Sequence, residues 1–212
     1  MAFDLIKIFI IASKQTEKMR LLINAILILL VAGLVLVLVG SIQEPINFKN
    51  EKQKRERAVI DKLMTIRNAQ ELYRSIKEEF APDFETLKKV LETENFAIIK
   101  VIGDPDDPTF TGEITYDTSY APAIDSVRAL GINLDSLRYV PYGNGAFFEM
   151  KADTITYQST LVPVLEVGVK RKVFMGKYAS SKYAKYDQNY DPEKPVKFGN
   201  MTAPNLSGNW ER

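Results

Sequence analysis

The sequence predicts an α+β protein: a single N-terminal transmembrane helix, a long amphipathic helix, and then a mostly antiparallel sheet with short helices. Three observations predict it. A charge-free run of nineteen residues, Leu21–Val39, contains fifteen Leu, Ile or Val. Apolar side chains then recur every three or four residues from Val59 to Phe80. Beyond Glu94 that spacing gives way to short runs rich in Ile, Val, Thr and Tyr, separated by Gly, Pro and Asn, which is strand-and-turn composition.

The apolar run comes first. At a helical rise of about 1.5 Å per residue it covers nearly the ~30 Å hydrocarbon core of a bilayer. Each Leu, Ile or Val favours insertion by roughly 0.3–0.6 kcal/mol at mid-membrane, which together outweighs Asn24 and Gly33. The transmembrane segment is placed at residues 21–42. Val39-Gly40-Ser41 has the form of a signal cleavage site, but the apolar stretch exceeds the ~7–15 residues of a signal core, so an uncleaved anchor is expected. Residues 1–20 form a tail in which Ile6–Ala12 is too short to span; it fits an interfacial segment, and Met19-Arg20 has the form of an alternative start that is favoured over Met1. Lys14, Lys18 and Arg20 beside the span predict a cytoplasmic tail. Lys49, Lys52, Lys54, Arg55 and Arg57 oppose this from the other side, but begin further out and are interleaved with Glu51 and Glu56. The expectation is an inner-membrane, single-pass protein with its C-terminal domain in the periplasm.

Pro45 is expected to end or kink the membrane helix, and Asn47 or Asn50 to cap a new one opening an extracytoplasmic α+β domain at residues 47–175. Val59, Leu63, Ile66, Ala69, Tyr73, Ile76 and Phe80 form the stripe of that helix, supported by a Glu51–Arg55 pair at i,i+4 and stopped by Ala81-Pro82. Asp83 caps a second helix, Phe84–Glu94, with Phe84, Leu87, Val90 and Leu91 on one face. Phe96–Ile102 and Glu113–Thr118 read as strands about a Gly103–Pro108 loop, and Pro122–Leu130 as a short helix closed by Gly131. Leu137–Tyr142, Ala146–Lys151, Thr154–Gln158 and Leu161–Phe174 read as strands, with a hairpin turn at Gly143-Asn144-Gly145 and an edge or strand start at Pro163. Residues 176–212 lose apolar periodicity and read as an extended Tyr/Lys-rich C-terminal arm pinned by Phe198 and Trp210.

The chain's 212 residues carry a net charge of +1, which offers nucleic acid no electrostatic footprint. It has no Cys and no His, which removes disulfides, thiol nucleophiles, His bases and Cys/His zinc sites. Asp104, Asp106 and Asp107 can form a Ca²⁺-binding loop, but the EF-hand Gly and Glu positions are unmatched, and an exposed acidic turn is expected. Asp187, Asp191 and Glu193 form a weaker cluster of the same kind. Lys177, Lys182 and Lys185 interleave with Tyr178, Tyr183 and Tyr186, a composition suited to stacking on single strands or to a partner-binding surface, and the second is expected. Ser180-Ser181-Lys182 lacks nucleophile spacing, and Gly143–Gly145 is no phosphate loop. No catalytic, cofactor-binding or metal residue is assigned, and no cofactor.

Ile66, Arg67, Ala69, Gln70 and Tyr73 follow the pattern IR.AQ..Y, and Phe80-Ala81-Pro82 and Leu87 follow it in turn. Over these roughly thirty residues the chain resembles type IV pilins and type II secretion pseudopilins. The Gly, aromatic and Glu of a prepilin cleavage site are missing before the apolar run, so prepilin processing is not expected. The whole chain, including the closing Ser207-Gly-Asn-Trp-Glu211, is similar to single-pass envelope proteins of Gram-negative bacteria. The order helix, two strands, helix, two strands from residue 84 is also similar to the ferredoxin-like domains of anchored pilus and secretion platform proteins. These resemblances imply a non-enzymatic, membrane-anchored envelope protein in a pilus-like or secretion assembly. Its partners would be the lipid bilayer and other membrane or envelope proteins, with self-association included and nucleic acid excluded. The competing expectation is a tethered periplasmic domain for ligand binding or carboxylate-based catalysis. An exposed apolar stripe on helix 50–80 favours the first, a pocket of converging carboxylates the second.

Overall fold

The computed structural model describes residues 2–102 and 115–211. The chain divides into two compact units, Met1–Asn50 and Glu51–Arg212. Helix α1 is assigned from Ala2 to Lys77.

In the first unit the apolar run is helical and fully exposed: Leu21, Leu29 and Leu36 are each 70–74% accessible. A continuous sleeve of bare Leu, Ile and Val is not a surface that water tolerates. With a mean hydropathy of 3.1 in its most apolar window, the helix is long and apolar enough to cross a membrane. The expected break at Pro45 does not occur, and neither Asn47 nor Asn50 caps a new helix, because Pro45 lies inside α1. Proline in a helix interior costs about 3 kcal/mol. Stopping and nucleating a second helix costs more, since a nucleation constant of ~10⁻³ corresponds to roughly 4 kcal/mol.

In the second unit the stripe on α1 is realised: Val59, Leu63, Ile66 and Ala69 are completely buried and Tyr73 nearly so, while Ile76 is half-buried. Gln70 is the only fully buried polar side chain among the described residues. Its Nε2 donates to the Ala81 carbonyl at 3.1 Å, its Oε1 accepts from Ala81 N–H at 2.9 Å, and its Nε2 also lies 3.2 Å from Met150 Sδ. That anchor explains where the helix ends. Glu78 turns left-handed at φ 62°, its N–H still bonded to Arg74 carbonyl at 2.8 Å, so α1 stops at Lys77 rather than at Ala81-Pro82. The chain then folds back and buries Phe80 and Ala81.

Helix α2, Phe84–Thr93, begins as the sequence predicts: the Asp83 carboxylate accepts from Thr86 N–H at 2.8 Å. Leu87, Val90 and Leu91 face inward, and Phe84 is half-buried. Helix α3, Ala123–Ala129, is followed by Gly131 at φ 64°. Strands β1, Asn95–Ile102, and β2, Thr115–Pro122, pair antiparallel with each other. Strands β3, Glu149–Tyr157, β4, Thr160–Lys170, and β5, Pro195–Gly199, form a separate antiparallel sheet in the order β3-β4-β5. The ferredoxin-like arrangement is therefore absent, since β1 and β2 never join the other strands.

Four strand expectations change. Leu137–Tyr142 is a series of turns with a single bridge, Tyr139 to Phe147, although Gly143–Gly145 does reverse the chain and Val140 N–H reaches the Ala146 carbonyl at 2.9 Å. Ala146–Lys151 and Thr154–Gln158 merge into β3, because Ala152-Asp153 continues the alternation and pairs with Leu165 and Val164. The β3–β4 turn falls at Gln158-Ser159, both with positive φ (49° and 67°), the backbone of a two-residue hairpin without its usual Asn-Gly. Strand β4 ends at Lys170, where the short helix α4, Arg171–Phe174, takes over. Pro163 is in the middle strand, yet β5 pairs with β4 only from Glu166 onward, so the chain at Pro163 has a partner strand on one side alone.

The last thirty-seven residues are not the extended arm that their composition predicts. They form two short 3₁₀ segments, Gly176–Tyr178 and Ser181–Tyr186, and then β5, which buries Val196 and Phe198 opposite Val169 and Val167. Phe198 is fully buried, and Trp210 lies against Gly208, where a side chain would strike the indole. Gly199, at φ 83°, leaves the sheet so close to the Leu165 carbonyl that a Cβ has no room there.

Candidate functional site

The β1–β2 ribbon differs from every other element of the second unit in what it leaves uncovered. Its eight paired positions run from Asn95 opposite Pro122 to Ile102 opposite Thr115. The base is anchored: Ala123 N–H bonds to the Glu94 carbonyl at 3.0 Å, and Lys77 Nζ pairs with the Glu94 carboxylate at 2.6 Å. Above that base both faces are open. Ile98 is 50% exposed, Ile99 61% and Tyr120 70%.

Alternation sorts the residues of the ribbon. Ala97, Ile99, Thr118 and Tyr120 share one face and carry no charge, whereas Lys100 sits opposite Asp117 on the other, beside Ile98 and Ser119. Neither strand pairs with a third among the described residues, so each has a free backbone edge. A two-stranded ribbon in water is at best marginally stable, and an unpaired edge with apolar side chains is a template for another chain. The arrangement can accept a strand along either edge or bury its uncharged face under an apolar surface.

The residues singled out for chemistry are dispersed. Asp104, Asp106 and Asp107 lie outside the described residues. Asp187 pairs with Lys52 at 2.6 Å, Asp191 accepts from Glu193 N–H at 2.9 Å, and Glu193 takes Lys172 and Lys170 at 2.7 and 3.1 Å. Hydrogen bonds from those two lysines hold the Glu193 carboxyl below its usual range. The three acids thus serve separate pairs. The Ser180 hydroxyl accepts from Lys182 N–H as the cap of a 3₁₀ turn. No group of three Asp or Glu converges as a metal would need among the described residues.

Other clefts could also take a small molecule, one of them, of about 730 Å³, lined by Glu71, Arg74, Ser75, Glu78 and Pro163. A second, of about 100 Å³, lies over the sheet between Lys151, Glu166 and Lys197, and the last two already form an ion pair. Another of about 400 Å³ is lined by Asn200, Asn205, Ser207 and Asn209. Its amides are committed to the backbone: Asn200 accepts from Thr202 N–H, Asn205 from Ser207 N–H, and Asn209 from Lys197 N–H. Glu149 and Glu166 both line the 100 Å³ cleft, among three lysines, and Glu71 and Glu78 the 730 Å³ one; Glu211 is the carboxylate of the 400 Å³ cleft. The apolar stripe of α1 is not an exposed surface, since it is buried in its own unit.

The ribbon is the surface that sequence reasoning missed. Both strands were legible, but Phe96–Ile102, apolar except for Lys100, gives no sign of how much of it is exposed. The signal against burial was in its partner: Thr115, Asp117, Thr118 and Ser119 give β2 a polar run that no core accommodates. No protein-family model, curated protein or solved structure matches the chain.

Proposed function

We propose that this is a non-enzymatic, single-pass envelope protein, anchored in the inner membrane by Leu21–Val39, with its globular unit in the periplasm. It makes protein–protein contacts in a pilus-like or secretion assembly. The observation that carries the contact role is the β1–β2 ribbon, whose uncharged face and two edges offer a partner both apolar area and backbone hydrogen bonds. The anchor is supported by the bare apolar helix, and the periplasmic side by Lys14, Lys18 and Arg20 at its N-terminal flank.

A photo-activatable side chain placed at Ile99 or Tyr120 in the full chain, in its own membranes, tests the contact. The expected product is an adduct of defined mass with another envelope protein or a second copy, lost when Thr118, on the same face, is replaced by Asp. The same probe at exposed Lys89 on α2 should give none. Equal yields at Lys89 and on the ribbon would remove the contact role from the ribbon. Orientation is read separately, from a reporter fused after Arg212 that is active only in the periplasm.

A further inference from the structure

The segment from Phe174 to Asp187 is stapled to the first two turns of α1 in the second unit. Arg55 Nη1 donates to the Phe174 carbonyl at 2.7 Å, Lys52 Nζ pairs with Asp187 at 2.6 Å, and Arg171 Nε pairs with Glu56 at 2.6 Å. All of these groups are partly buried, so the staple is screened less than a surface pair. Arg55 also bonds Glu51 at 2.8 Å and lies 5.0 Å from the Tyr142 ring centre.

On this frame a three-fold Lys-Tyr repeat is laid out. Each lysine stands over the tyrosine that follows it: Lys177 at 4.9 Å from the Tyr178 ring centre, Lys182 at 4.8 Å from Tyr183, and Lys185 at 4.5 Å from Tyr186. Tyr178 and Tyr183 are buried and meet edge to face at 5.0 Å, which fixes the rings and hence the stems above them. The three ammonium groups are exposed, and Lys177 and Lys182 have no carboxylate partner among the described residues. Arg55 hydrogen-bonds Glu51 and, with the charges of Lys54 and Lys177, holds its carboxyl below the usual range. Together, Glu51–Arg57 and Phe174–Asp187 hold seven cations against three carboxylates, in a chain whose net charge is only +1. The remainder of the molecule is therefore net acidic, and this region is markedly more basic than the chain as a whole.

We propose that this Lys/Tyr surface docks on anionic lipid headgroups. The inference rests on the reading of Leu21–Val39 as a membrane span. Glu51 follows Gly40 by eleven residues, a length of chain that reaches at most ~40 Å even when fully extended. Tethering by so short a stretch replaces a free encounter by a local one. Clustered cations attract an anionic lipid surface. Lys177 and Lys182 are exposed residues whose ammonium groups lie at the faces of Tyr178 and Tyr183, which holds their charges in fixed places at the surface.

The test uses the full chain reconstituted in vesicles of phosphatidylcholine, with and without phosphatidylglycerol, and reads amine labelling at Lys177, Lys182 and Lys185 by mass spectrometry. The expected result is severalfold slower labelling in the phosphatidylglycerol vesicles, with exposed Lys89 unchanged. Raising salt from about 0.1 M to about 1 M, which shortens the screening length from ~10 Å to ~3 Å, should abolish the difference. Hydrogen exchange over Phe174–Asp187 should show the same lipid-dependent protection. It should be lost in Lys177→Gln/Lys182→Gln/Lys185→Gln and kept in the triple Arg variant; if the Gln variant misfolds, the salt series on the unaltered chain still decides. Equal labelling in both vesicles, or protection by a single-stranded oligonucleotide and not by anionic vesicles, overturns the proposal. A chain that fails to float with either vesicle instead refutes the span.

Discussion

Two antiparallel sheets in one unit meet opposite fates. In β3-β4-β5 the second half of the middle strand is buried: Val164, Leu165, Val167 and Val169 are at most 4% exposed. In β1–β2, strands at least as rich in Ile, Tyr and Val expose Ile98, Ile99 and Tyr120 by half or more. The difference is not propensity. Strand β4 has neighbours on both edges, with Phe198 and Val196 of β5 set beside its inward residues, whereas β1 and β2 have only each other. β-propensity is chiefly a statement about what a side chain packs against, and this chain shows the same residue types with and without that partner.

The comparison is tested most severely on the side that is filled. Leu63→Ala removes a completely buried side chain of α1 and should cost about 2–5 kcal/mol in urea unfolding of the full chain in detergent. Ile76→Ala, at a half-buried position on the same stripe, should cost less. Replacing Ile99 or Tyr120 by Ser should leave the midpoint within about 0.5 kcal/mol. If the ribbon substitutions destabilise as much as Leu63→Ala does, the ribbon is folded against its own unit and its exposure is not the basis of a contact.

A smaller effect is expected at Gln70. Ala in its place leaves the buried N–H and carbonyl of Ala81 without partners and should cost about 1–3 kcal/mol, with hydrogen exchange at Ala81 accelerated. Gln70→Glu should not rescue it, since a carboxylate has no donor for the carbonyl.

Among the substitutions expected to destabilise, the smallest effect belongs to the cap of α2. Asp83→Ala should cost ~1 kcal/mol, and the loss should depend on pH. The hydrogen bond from Thr86 N–H holds the Asp83 carboxyl below its usual range. A folded pKa below the unfolded one stabilises fully above the unfolded value, ~3.9, and less as pH falls through the folded one. The difference between the native chain and Asp83→Ala should therefore be constant at neutral pH and shrink below about pH 4. A difference that persists unchanged into stronger acid would show that the cap is not the carboxylate.

The helical half of the fold was legible because it is local. The three-and-four spacing from Val59 to Tyr73, the Asp83 cap and the Gly131 stop each depend on residues within a turn or two. What was not legible depends on partners far along the chain. Nothing near Pro195–Gly199 announces a strand; it forms because β4 offers an edge and Phe198 and Val196 meet Val167 and Val169. Gln158-Ser159 lacks turn chemistry and becomes a turn because the strands on either side fix the register. At Glu78 an amide eight residues earlier, not the proline four residues later, decides where the helix ends. The ribbon was hidden for the converse reason, since apolar β1 gives no sign of its exposure until its partner and the lack of a third strand are known.

The ion pair between Arg67 and Glu211 joins residues 144 positions apart and carries a consequence for synthesis. At about 5–20 residues per second, α1 leaves the ribosome on the order of ten seconds before the strand and the C-terminal residues that complete its surroundings. During that interval Arg67 has neither its Glu211 partner nor the Leu206 carbonyl, and the surroundings of the neighbouring stripe are incomplete. A product truncated before Pro195 would keep α1 but lack β5 and both of those contacts.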